Sequence, residues 1–160
     1  MRSATIAIAF VLALGGQVGV AGAQTAAERF DKPASLGVAR IRYMVTDIPG
    51  AVAFYTDKLG FKVAAQSGSF FALVTRGDVQ LLLSPVKGPG GASQPMPNGE
   101  RPAPGGWNRI VLYVPDLKGE VDRLRKAGVH FRNDIVVGLG GNEILLEDPS
   151  GNPIELFQPS

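Results

Sequence analysis

The chain has 160 residues, with 16 Lys and Arg against 14 Asp and Glu, one His and no Cys. A net charge of +2 with no run of Lys or Arg excludes a nucleic-acid footprint or an anionic-membrane patch. The missing cysteines exclude disulfides and a lipoprotein anchor, and the length suits one domain with a sizeable core.

Met1-Arg2-Ser3 is a short basic start, and Ala4 to Gly15 is almost wholly apolar. Ala21-Gly22-Ala23 then gives the small-x-small pattern of a signal-peptidase site before Gln24. The apolar run is short for a membrane span. Residues 1–23 are therefore expected to be a signal peptide, making the mature protein secreted or periplasmic, with no membrane attachment after cleavage. Cleavage removes only Arg2 among the charged residues, leaving +1. Residues 24–37 are small and polar and read as a linker.

Ordered structure is expected from residue 38. Arg40 to Val45 alternates, with Ile41, Tyr43 and Val45 on one face and Arg40, Arg42 and Met44 on the other. Asp47 is a candidate N-cap with Pro49 in the first turn. Ile48, Val52, Tyr55 and Leu59 follow at helical spacing until Gly60. Three strand-like runs come next, Phe61–Ala65, Phe70–Thr75 and Val79–Ser84, the last two joined by the turn Arg76-Gly77-Asp78. Residues 87–106 are rich in Gly and Pro, and predict either a functional flap or a loose connection. From Arg109 the pattern restarts: a strand to Val114, a capping Asp116, and a helix stripe of Leu117, Val121 and Leu124 closed by Ala127-Gly128. The chain ends in a hairpin. Ile144–Leu146 and Ile154–Phe157 flank the turn-forming Asp148-Pro149-Ser150-Gly151-Asn152-Pro153, with Ile154 and Leu156 facing one way and Glu155 and Phe157 the other.

The restart is a repeat in register. Arg40, Ile41, Val45, Asp47, Gly50 and Val52 recur 69 residues later as Arg109, Ile110, Val114, Asp116, Gly119 and Val121. Further on, Val79-Gln80-Leu81 matches Ile154-Glu155-Leu156. The period is too long for a solenoid, so a duplicated half-domain is expected over residues 38–160: module one at 38–86, the loop at 87–106 and module two at 107–160.

These modules, with Asp47-Ile48-Pro49-Gly50-Ala51-Val52-Ala53-Phe54-Tyr55, Leu59-Gly60-Phe61 and Asp148-Pro149-Ser150-Gly151-Asn152-Pro153-Ile154-Glu155-Leu156, resemble the vicinal oxygen chelate superfamily. That superfamily includes glyoxalase I, extradiol dioxygenases and bleomycin-resistance proteins. The resemblance implies an α+β fold of two βαβββ modules forming a curved mixed sheet around a central cleft, and it implies a homodimer. In metal-dependent members each module would supply ligands from the start of its first strand and the middle of its last. On this chain those positions are Arg40, Gln80, Arg109 and Glu155, all on the faces opposite the helices.

Only Glu155 is a typical metal ligand, since a guanidinium has no lone pair to offer and a neutral amide is a poor donor. His130, just after the second helix, reads as an ordinary loop or strand histidine. Glu143 and Glu147 share a strand face and read as a solvated surface. No metal or other cofactor is therefore expected. The charge surplus of two arginines over one carboxylate favours a small organic, anionic ligand, with Met44, Phe71, Trp107, Tyr113 and Phe157 as apolar lining. Two readings stay open beside it. One is a glyoxalase-type or dioxygenase enzyme using a metal on Glu155; the other is an interaction protein whose cleft is filled by Arg–Glu salt bridges.

Overall fold

The structure, a computed structural model, describes residues 39–160. The expected signal peptide and linker lie outside the described residues.

Alternation makes the first strand, β1 (Ile41–Val45), whose Tyr43 and Val45 enter the core. Asp47 then starts helix α1 (Ile48–Ala53) by accepting the Gly50 N–H at 2.9 Å. Asp116 starts α2 (Leu117–Lys126) in the same way, accepting from Gly119 N–H at 2.9 Å. The repeated glycines have a steric reason: a Cβ at Gly50 or Gly119 would meet its capping carboxylate oxygen at 2.4 or 2.3 Å. Repeated sequence thus encodes a repeated cap.

One departure from the sequence reading lies in the first helix. After Ala53 it widens into a π-helical turn, Phe54–Lys58. The wider turn brings the neighbouring Phe54 and Tyr55 both inward, 8% and 0% exposed, where regular spacing placed only Tyr55. Their rings meet edge to face at 5.4 Å, and Tyr55 meets Phe61 at 5.3 Å.

Module one continues with β2 (Lys62–Ser67), β3 (Phe71–Arg76) and β4 (Val79–Pro85). β2 begins one residue after Phe61, because Gly60 turns the chain at φ +69°. β3 begins one residue after Phe70, which stays in the turn at 59% exposure. Module two supplies β5 (Ile110–Tyr113), β6 (Val136–Gly138), β7 (Gly141–Glu147) and β8 (Pro153–Pro159). Each module forms a four-stranded mixed sheet, in the orders β1-β4-β3-β2 and β5-β8-β7-β6. The first strand is parallel to the last and the other pairs are antiparallel. This is the expected pair of βαβββ modules.

The two ladders differ in register, and this corrects the repeat alignment. Tyr43 faces Leu83 across β1 and β4, and its repeat partner Leu112 faces Leu156 across β5 and β8. The counterpart of Glu155 is therefore Leu82, not Gln80, which lies two residues earlier. An even shift keeps the facing of every side chain, which is why alternation alone could not reveal it.

One core spans both modules, with Tyr43, Val45, Leu81 and Leu83 from the first and Ile110, Leu112, Ile154 and Leu156 from the second. Polar groups close the seam. The buried Tyr43 hydroxyl donates to Pro153 O at 2.9 Å and accepts from Ile110 N–H at 3.1 Å. Asp148, 4% exposed, accepts from Ser150 N–H, Asn152 N–H, Asn152 Nδ2 and the Tyr55 hydroxyl. Four donors make burial of this carboxylate tolerable.

The connection at residues 87–106 is built rather than loose. It contains a 3₁₀ turn, Gly91–Ser93, anchored by Ser93 Oγ donating to Pro85 O at 2.6 Å. At its far end Gly105 N–H donates to Asn152 Oδ1 at 2.9 Å, while Asn152 Nδ2 donates to Met44 O at 2.9 Å. A single side chain thereby ties the connection, β1 and the final hairpin together.

Candidate functional site

Side chains that point away from the cores line the second face of each sheet. In module one these are Arg42 and Met44 of β1, with Arg40 just before it, and Gln80, Leu82 and Ser84 of β4, together with Phe71, Leu73 and Thr75 of β3. Arg40 Nε donates to Gln80 Oε1 at 2.9 Å, and Arg42 Nη1 donates to Ser84 Oγ. Both acceptors are neutral. Neither guanidinium meets a carboxylate among the described residues, and both arginines are exposed.

Module two is charged differently. Glu155 is 7% exposed and takes a hydrogen bond from Arg109 Nε at 2.6 Å. Arg109 also donates from Nη1 to Trp107 O at 3.4 Å. Beside this pair Tyr113 and Phe157 stack edge to face at 5.5 Å, with Tyr113 67% exposed. Arg132 adds a second ion pair, Nε to Glu147 Oε1 at 2.6 Å, and lies over the exposed Trp107 ring at 5.5 Å. His130 Nδ1 lies 2.9 Å from Glu147 Oε2. Burial opposes charge on Glu147, but hydrogen bonds from Arg132 and His130 outweigh it and hold its carboxyl below the usual range.

The four positions chosen from the sequence thus come together as two pairs, Arg40 with Gln80 and Arg109 with Glu155. No hydrogen bond or ion pair joins one pair to the other among the described residues. Of the expected lining, Met44 and Phe71 sit on the module-one face, and Tyr113, Phe157 and Trp107 on the module-two side. Arg42 was missed as a site residue, although its i, i+2 spacing from Arg40 already put both on one face. Glu147, read from the sequence as part of a solvated strand face, is instead paired with Arg132, a partner missed because nothing in their spacing of 15 residues links them.

The glyoxalase/bleomycin resistance protein/dioxygenase superfamily model matches residues 37–156. The chain belongs to that superfamily. No match was found among curated protein sequences. Similar solved structures include a lactoylglutathione lyase from Agrobacterium tumefaciens, 21% identical over 79% of this chain and 96% of that one, at a TM-score of 0.58. A fosfomycin resistance protein, FosX from Listeria monocytogenes, is 14% identical over 78% and 93%, at 0.58. TnmS3, an antibiotic-binding protein from a Streptomyces species, is 25% identical over 78% and 99%, at 0.55. The first two likenesses carry the fold alone.

Within the superfamily, the resemblance implies a divalent ion at positions that here hold Arg40, Gln80, Arg109 and Glu155. The two guanidiniums offer no lone pair to a cation, and the Gln80 amide, a poor ligand, already accepts from Arg40. The one carboxylate, Glu155, is already engaged by Arg109. Among the described residues no three His, Cys, Asp or Glu side chains come together as a metal cluster. This donor set does not fit a metal.

Proposed function

We propose that this protein is a binding member of its superfamily, working without a metal or other cofactor and holding a small organic anion on the strand face through Arg40 and Arg42. One observation carries the reading: Glu155, buried on the module-two face, is neutralised by Arg109, whereas Arg40 and Arg42 on the module-one face rest on neutral acceptors. The two arginines stand about 6.6 Å apart along β1. That spacing suits the oxygens of a carboxylate or phosphonate, which guanidiniums bind in bidentate fashion. Met44 and Phe71 flank them as apolar surface. The likeness to TnmS3, described as an antibiotic-binding protein, supports binding over catalysis.

Calorimetric titration with benzoate and phenylphosphonate, against benzyl alcohol as a neutral control, tests this reading. Saturable binding of the anions, lost in Arg40→Gln/Arg42→Gln, is expected. A parallel thermal-shift titration with Mn²⁺, Ni²⁺, Zn²⁺ and Fe²⁺ tests the enzyme alternative. A saturable metal shift that disappears in Glu155→Ala would overturn the metal-free reading. The Arg109–Glu155 pair favours the salt-bridged interaction reading for module two, which gains if no anion binds. We propose further that the protein is exported and cleaved after Ala23. N-terminal sequencing of material from the periplasmic fraction or medium should then begin at Gln24.

A further inference from the structure

A second cation-bearing site lies at the opposite end of β1, where the inter-module connection folds back over the ends of β1 and β4. Thr46, Val86, Lys87, Arg101, Pro102, Ala103 and Pro104 line an open cavity of about 290 Å³. Arg42, the nearer cation of the strand-face site, is four residues before Thr46, about 13 Å in extended chain.

Three observations point to a ligand there. Val86, Pro102, Ala103 and Pro104 make apolar walls, while Lys87 and Arg101 stand at the same cavity without a hydrogen bond or ion pair among the described residues. No carboxylate is among the lining residues, so the two exposed positive charges meet no opposite charge at the cavity. The walls are also fixed in advance. Val86 N–H donates to Val45 O at 3.0 Å and Thr46 N–H to Ser150 Oγ at 3.0 Å. Asn152 clamps Gly105 of the connection to Met44 of β1, and the two prolines restrict the backbone between. A wall ordered before binding spares the ligand the entropy of ordering it.

We propose that this cavity is a binding site for a small amphipathic monocarboxylate, with the carboxylate between Lys87 and Arg101 and an apolar body against Val86, Pro102 and Pro104. The volume equals roughly ten water molecules, at ~30 Å³ each. That is the size of an aromatic or medium-chain acid and small for a drug-like ligand. Thr46 Oγ1 already shares a hydrogen bond with Ser150 Oγ at 3.2 Å, so it orients the mouth of the site without supplying charge. The proposal does not depend on the strand-face reading.

The test uses purified full-length protein with 3-phenylpropanoate and octanoate as probes, and 3-phenylpropanol and octanol as uncharged controls. Amide shift mapping should place the acids at Thr46, Lys87, Arg101 and Ala103, with saturation. Lys87→Gln/Arg101→Gln removes only exposed charge and should melt like the parent. It should weaken both acids by about tenfold or more while leaving the alcohols unchanged. Arg40→Gln/Arg42→Gln should leave these shifts and affinities intact. No saturable binding by either acid overturns the proposal. So do undiminished affinity in the Lys87/Arg101 variant and transfer of the shifts to Arg40 and Arg42. The last outcome would support the strand-face site alone.

Discussion

Glu155 and Arg109 form a pair whose members are unequally buried. The Glu155 side chain is 9% exposed and that of Arg109 is 32%, so removing the cation strands the more buried charge. Arg109→Met should lower stability by about 2 kcal/mol in urea titrations. That is less than for a fully buried pair, because water reaches the guanidinium. Arg109→Met with Glu155→Leu should recover most of the loss, since an apolar pair of similar volume leaves no stranded charge. The tyrosines give a pH-dependent counterpart. Burial first, then the Asp148 charge, pushes the Tyr55 hydroxyl well above its usual value, and burial also raises Tyr43. A pKa raised in the folded state means the unfolded chain releases its proton first as pH climbs. The stabilisation is thus fully present below about pH 10 and is lost above it. Thermal melts from pH 8 to 11 should show this loss, and Tyr55→Phe should flatten it. The same substitution removes one of the four donors to Asp148, at a cost of about 1 kcal/mol. Glu147 behaves oppositely. Its depressed pKa makes its contribution present above about pH 4.5 and lost as pH falls, and Arg132→Gln should reduce the acid sensitivity of the melt.

Helices and turns follow the sequence where short-range chemistry sets them. Both capping aspartates were legible, because an N-cap needs only a side-chain oxygen three residues before an amide. The π turn was not, because it arises from packing both Phe54 and Tyr55 into a shared core rather than from their spacing. Gly138-Leu139-Gly140-Gly141 reads as a turn rather than a phosphate loop, and it does lead from β6 into β7. Within it Gly141 is the position with no alternative. Its φ is +151°, and a Cβ there would meet Gln158 O at 2.1 Å across the ladder to β8. Gly141→Ala should therefore cost about 3 kcal/mol, or shift the start of the β7–β8 pairing. Comparison of urea midpoints with Gly140→Ala, whose Cβ meets only the edge of Phe157 at 3.9 Å, isolates the effect.

The two modules share one core and one buried polar seam, which predicts joint unfolding. Tyr43 of module one is hydrogen-bonded to Pro153 and Ile110 of module two, and Tyr55 to Asp148. Trp107 fluorescence and far-UV circular dichroism should therefore trace one coincident urea transition. Asn152 holds both the seam and the connection, so Asn152→Leu should destabilise the whole protein by about 2–3 kcal/mol, with the transitions still coincident. Separation of the two signals in the parent protein would instead mean that the modules unfold independently.

The sequence by itself determined the duplication, the βαβββ order, the capped helix starts, and the facing of Arg40, Gln80, Arg109 and Glu155. These are local or periodic properties, carried by side-chain alternation of period two and by turn and cap residues. Only the tertiary structure decided which charges meet. The strand register decided that Leu82, not Gln80, is the counterpart of Glu155, and alternation is blind to a shift of two. Distance decided that Arg109 neutralises Glu155 while Arg40 and Arg42 rest on Gln80 and Ser84. The seam joins Tyr43 to Pro153 across 110 residues of chain, a proximity created by folding and written in no local pattern.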